Sequence, residues 1–111
     1  MNNMRSEDNR LFERFPARFP AKFKDARDGF GSILNLRDAS AFGARISSKE
    51  KLFKSDIITI EVRISDGHAP MVLKGEVVWT KSKDLNLWDV GIKLNKIDLL
   101  MMSRLYKFIA P

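Results

Sequence analysis

The chain has 111 residues, 44% of them hydrophobic, and carries 20 lysines and arginines against 14 aspartates and glutamates, a net +6 with its one histidine neutral. That length holds one domain with a core of its own and leaves no room for a second. Having no cysteine excludes disulfide scaffolds, zinc fingers, iron–sulfur sites and thiol catalysis, and the lone His68 cannot build a multi-histidine metal site.

No apolar run approaches the ~18 residues of a membrane span. The start, MNNMRSEDNR, is polar and offers no hydrophobic core for a signal peptide. A soluble, cytoplasmic protein is therefore expected. Its positive charge points to an anionic partner and is unevenly placed: residues 1–27 hold seven basic and four acidic side chains, so a quarter of the chain carries half of the excess.

Residues 1–9 have neither periodicity nor an apolar anchor, and 1–12 is expected to be a flexible arm ahead of a single domain over 13–111. The stretch 10–24 has arginine, lysine and phenylalanine at four-residue intervals, as a helix would, but Pro16 and Pro20 would each cost a helix interior about 3 kcal/mol. Read with period two, Phe15, Ala17, Phe19, Ala21 and Phe23 share one face, and Pro16, Arg18, Pro20, Lys22 and Lys24 the other. The prolines make it an edge strand or an extended arm.

After the Asp28-Gly29 turn come strand candidates over 30–36 and 43–47, separated by a loop over 37–42. Ile58, Ile60, Val62 and Ile64 alternate with Thr59, Glu61 and Arg63, the clearest strand of the chain. Asp66-Gly67 turns the chain into 71–80, with Met71, Leu73, Val77 and Trp79 inward and Gly75 at a bulge or bend. Residues 87–94 place Trp88, Val90, Ile92 and Leu94 on one side. Asn95 is a candidate helix cap with Asp98 in capping-box position, and Ile97, Leu100, Met101, Leu105 and Phe108 follow at helical spacing, predicting a helix over about 96–109. Short strands with a terminal helix predict a small antiparallel β-barrel plus a helix.

Catalysis is not expected. His68 lies in a turn, no phosphate loop of the GxxxxGK type exists, and no two carboxylates are paired in a cleft-forming pattern. Two other groups of residues can bind anions. Arg14 and Arg18 stand four apart on one face of an extended segment, about 13 Å between Cα atoms. Guanidinium groups fork onto phosphate oxygens or onto the O6/N7 edge of guanine. In Asp38-Ala39-Ser40-Ala41-Phe42-Gly43 a carboxylate can accept the N1 and N2 hydrogens of guanine, a hydroxyl can donate to phosphate or cap the turn, and Gly43 can let the backbone approach a ligand. An ordinary turn, with both side chains bonded to their own backbone, is the alternative.

Taken together, Arg14-x-x-x-Arg18 ahead of Asp38-x-Ser40-x-x-Gly43 resembles the PilZ domain, a bacterial receptor module for cyclic di-GMP. Gly75-Glu76-Val77-Val78-Trp79 and Asp89-Val90-Gly91-Ile92 are similar to the last two strands of that family, and the resemblance spans about residues 13–109. It implies a six-stranded antiparallel barrel closed by a C-terminal α-helix, with no cofactor other than cyclic di-GMP as ligand. It also implies that Arg14 and Arg18 take phosphate and guanine while Asp38, Ser40 and Gly43 form the floor. Arg10, Arg37 and Trp79 are further candidates: Trp79 matches a position that often lies near the ligand, though it is equally a core aromatic.

Many family members have another arginine directly before the pair, where this chain has Glu13, a competitor for Arg14. Arg37 is placed to neutralise Asp38 or to add a phosphate contact. Ligand is expected to order the arm over 10–24, and with no output domain in the chain the effect would pass to another protein. The protein is expected to be a monomer or homodimer, and two other readings stand beside this one: a ligand-independent adaptor that binds protein through the barrel or the apolar helix, and a basic barrel that binds single-stranded nucleic acid with Phe15 and Phe19 as stacking platforms.

Overall fold

The computed structural model of the protein describes residues 10–96 and 98–109. Six strands, β1 (Phe15–Phe23), β2 (Leu34–Ala39), β3 (Gly43–Ser48), β4 (Ile57–Val62), β5 (Met71–Asp84) and β6 (Leu87–Leu94), precede a helix over Leu99–Ile109. All the pairings are antiparallel, and the strands close on themselves in the order β1-β2-β3-β6-β5-β4. The six antiparallel strands and terminal helix expected from the sequence are what the chain forms. Alternation explains the inside: Leu34, Leu36, Ile46, Ile60, Val62, Val77 and Val90 are fully or almost fully buried, each contributing about 1.5–3 kcal/mol.

β1 departs from the expected edge strand. It pairs with β2 from Phe15 to Ala21 and with β4 from Ala21 to Phe23, so it is an internal member of the ring. Its prolines are tolerated because β4 lies alongside only the last residues of β1, and Pro20 contributes just its carbonyl, which accepts from Arg63 N–H at 2.9 Å. The predicted inward face holds, with Phe15, Ala17 and Ala21 buried.

β2 begins later than predicted and runs through Ala39, which leaves only a tight hairpin before β3. Trp79 is not inward. A register shift between Val77 and Trp79 makes Val78 an extra residue, and Trp79 pairs with Gly91 on the outer face, 40% exposed. Residues 10–12 form a helical turn, with Leu11 in the core and its carbonyl accepting from Ala41 N–H at 2.6 Å. Of the flexible arm expected over 1–12, residues 10–12 are thus anchored, and 1–9 lie outside the described residues.

The helix starts three residues later than predicted, because Asp98 and not Asn95 is its cap: the Asp98 carboxylate accepts from Met101 N–H at 3.0 Å. Ile97, assigned to the apolar stripe, lies outside the described residues. Met102 and Leu105 face the core, whereas Leu100 is 87% exposed. Two edge-on ring contacts, Phe15–Tyr106 at 5.2 Å and Phe19–Phe108 at 5.6 Å, seat the helix on β1.

Arg104 fastens the helix to the turn between β4 and β5, donating to both Asp66 carboxylate oxygens (2.6 and 2.9 Å) and to the Ala69 carbonyl (2.6 Å). These bonds hold the Asp66 carboxyl well below the usual carboxylate range, with partial burial opposing them and the His68 N–H assisting. A depressed carboxyl stabilises the fold fully above its unfolded value of about 3.9, and that stability is lost as pH falls below it. Arg104→Ala should therefore lower Tm at neutral pH, and its gap to wild type should narrow steadily below about pH 4. A gap that stays constant through the acid range would show that the pair does not hold the helix.

Candidate ligand-binding site

The antiparallel register between β2 and β3 places Asp38 opposite Arg45 on the outside of the ring. The Arg45 Nε–H donates to Asp38 Oδ2 at 2.7 Å, and Arg45 Nη1 reaches Asp89 Oδ2 on β6 at 3.3 Å. From just ahead of β1, Arg14 Nη1 donates to the other Asp38 oxygen, Oδ1. The carboxylate expected to read guanine is thus held between two guanidinium groups. Neither is Arg37, the cation that sequence proximity suggested, and Glu13 does not take Arg14. The bond to Asp38 is the main reason why the Arg45 guanidinium is held more firmly protonated than usual.

The two arginines are not equivalent. The Arg45 side chain is 29% exposed and lies between two carboxylates that are themselves mostly covered, whereas Arg14 is 55% exposed. An ion pair with so exposed a partner contributes only about 0.2–1 kcal/mol, and a charge-assisted hydrogen bond to a well-placed anion about 1.5–3 kcal/mol. The Arg14–Asp38 pair is therefore the one that an incoming anion can replace, while Arg45 stays to balance Asp38. No sequence motif marked Arg45; only the β2–β3 register brings it to Asp38.

The other motif residues build a hairpin. Ser40 N–H donates to the Gly43 carbonyl (2.8 Å), Gly43 N–H donates to the Ser40 carbonyl (3.3 Å), and the Ser40 hydroxyl accepts from Phe42 N–H (3.2 Å). Here the hydroxyl caps its own turn, as the structural alternative anticipated. Gly43 is required by packing: a Cβ at this position would collide with the Ile92 carbonyl of β6. The hairpin is tied to the start of β1 by the Leu11–Ala41 hydrogen bond and by the Phe12 and Phe42 rings, 5.2 Å apart. Both halves of the motif are thus fixed to each other before Arg14 is counted.

Arg18 lies on β1, past Arg14, and borders two hollows. One, of about 170 Å³, is completed by Phe19, Pro20, Asn35, Leu36 and Arg37. The other, of about 580 Å³, opens toward the helix and is lined by Phe15, Phe19, Tyr106 and Phe108 among others. Among the described residues neither Arg18 nor Arg37 has a hydrogen-bonding or ion-pair partner, and the Nε of Arg37 is buried with no acceptor. Arg10 is turned away and donates to the Tyr106 hydroxyl at 3.3 Å. Trp79 lies against Gly91, which pairs with Arg45 on the neighbouring strand. The row Pro16–Asp38–Arg45–Gly91–Trp79 therefore crosses five strands on one outer face.

This geometry disfavours stacking of bases on Phe15 and Phe19, since Phe15 is buried and both rings already abut the helix. What it offers instead is a shallow outer face where Asp38, balanced by Arg14 and Arg45, shares β1 and β2 with the unpaired Arg18 and Arg37. Among the described residues no group of histidine and acidic side chains could hold a metal ion, and no helix is long and apolar enough to cross a membrane. No curated protein matches the chain. The family model described as PilZ domain matches residues 8–110.

Proposed function

Because the chain belongs to the PilZ domain family, whose members generally bind cyclic di-GMP and serve as binding modules rather than enzymes, we propose that it is a cyclic di-GMP receptor. In this reading Arg14 and Arg18 take phosphate and guanine, and Asp38, Ser40 and Gly43 form the floor beneath them. The observation that carries it is the meeting of the two motif halves on one outer face: Arg14, just ahead of β1, reaches the Asp38 carboxylate on β2, and Arg18 on β1 has no partner among the described residues.

Residues 10–23 are already built into the fold as a turn and β1, so ordering of this segment is not the response proposed here. The response is an exchange of partners. Arg14 leaves Asp38 for the ligand, Asp38 turns its freed oxygen toward the base, and Arg45 remains to compensate the carboxylate. The Phe15–Tyr106 and Phe19–Phe108 contacts connect the same strand to the helix. That helix carries an exposed Leu100 through which a partner protein can sense the change. The same leucine supports the second reading, an adaptor that contacts protein through the helix without ligand.

Amide chemical shifts recorded during a cyclic di-GMP titration test the proposal. Residues 14–18 and 38–43 should move together and saturably, while the turn that holds Asp66 and Gly67, fastened to Arg104, stays in place. Shifts confined to the helix, or none at all, would favour the adaptor reading.

A further inference from the structure

We propose that Arg18 and Arg37 form a phosphate site of their own, built by two β-bulges that coincide at one point of the sheet. Between the pairs Pro16↔Asp38 and Phe19↔Leu36, β1 has one residue more than β2, so Ala17 and Arg18 together oppose Arg37. On its other side β2 has one residue more than β3, because Leu36 pairs with Ile46 and Asp38 with Arg45, the next residue back. Arg37 is thus the irregular residue toward both neighbours, and bulges re-aim side chains in this way. The result is a hollow of about 170 Å³ lined by both arginines.

Two cations facing one hollow repel each other and call for an anion. Asp38 does not supply it, because its oxygens are taken by Arg14 and Arg45. The buried Arg37 Nε–H has no acceptor, an unfavourable condition that a bound oxyanion relieves. The geometry selects phosphate over carboxylate. One guanidinium fork saturates a planar carboxylate, whereas forks from two strands suit a tetrahedral group with oxygens on several sides. That the phosphate is carried by cyclic di-GMP rests on the function proposed above; the site itself does not.

The test uses wild type, Arg37→Ala and Arg37→Lys, with inorganic phosphate and cyclic di-GMP as separate probes and chloride at equal ionic strength as the control. Inorganic phosphate should shift the Nε–H resonances of Arg18 and Arg37 saturably in wild type, and Arg37→Ala should abolish the shift at Arg18. Cyclic di-GMP should bind Arg37→Ala about tenfold more weakly, with a shallower salt dependence, and Arg37→Lys should recover only part of the loss because a point charge replaces a fork. Thermal melts matching wild type would establish that the variants report contact; should Arg37→Ala melt early, Arg37→Gln repeats the comparison with the stem kept through Cδ and the charge removed.

Phosphate shifts in a protein that ignores cyclic di-GMP would keep the site and remove the receptor reading. No saturable phosphate shift in wild type, or an unchanged Arg18 shift in Arg37→Ala, would overturn the site; measurable and equal cyclic di-GMP affinity in both proteins would overturn its part in holding that ligand.

Discussion

Arg18→Ala is expected to weaken cyclic di-GMP binding by roughly 10- to 150-fold, and Arg14→Ala by about two- to fivefold less than that. The two residues belong to one motif, but they begin from different positions. Arg18 has no partner to give up among the described residues, so its charge-assisted contacts with ligand are gained outright. Arg14 must first surrender Asp38, and the pair it loses offsets part of what it gains. Its removal also frees an Asp38 oxygen, which further softens the loss. Calorimetric titration of the two variants side by side measures the difference. Gly29→Ala is the folding control, since a Cβ at that position has open space around it. Equal losses, or a larger one for Arg14, would mean that the Arg14–Asp38 pair does not have to open for ligand to enter.

The second large effect is on stability. Gly43→Ala should cost about 2–3 kcal/mol and lower Tm by roughly 10 °C or more, because β3 and β6 must separate to admit the new methyl group. The obstacle is the Ile92 backbone carbonyl, which cannot rotate away as a flexible side chain would. Thermal unfolding of the purified variant is the check, and an unchanged Tm would refute the packing role. This matters for reading ligand data as well. A glycine in a recognition motif invites the explanation that a ligand approaches its backbone, yet at Gly43 the close neighbour is another strand. Weakened binding in Gly43→Ala should therefore follow the loss of folded protein, and binding measured well below its Tm should be restored in proportion.

Much of the architecture was legible because a pleated strand with one buried face leaves a period of two in its sequence. Phe15, Ala17 and Ala21, and likewise Ile60 and Val62, declared their inward faces directly. Misreadings occurred where the period is interrupted. One extra residue at Val78 carries Trp79 from the core to the outer face, and the irregularity at Arg37 hides which cation meets Asp38. A bulge has no fixed signature in a single sequence, so neither could be read in advance. Pro16 and Pro20 argued for an edge strand; missing from that argument was a ring in which β4 covers only the far end of β1. Likewise, Asn95 and Asp98 are both acceptable caps by residue type, and the tertiary position of the helix decides between them.

The candidate site was legible in part for the same reason. Arg14, Asp38, Ser40 and Gly43 do converge, tied through Leu11, Ala41, Phe12 and Phe42. Arg45 and Asp89, which hold Asp38 in place, come from strands distant in sequence and are brought together only by the ring. Cross-strand partners of this kind need the register, and the register comes from the closed fold.

The most direct test of the account is a calorimetric titration of cyclic di-GMP into the wild-type protein, with GTP and a short single-stranded oligonucleotide as competitors. The account predicts saturable binding that neither competitor displaces at equal concentration. Absence of heat together with an unchanged Tm at high cyclic di-GMP would contradict it, as would displacement by the oligonucleotide.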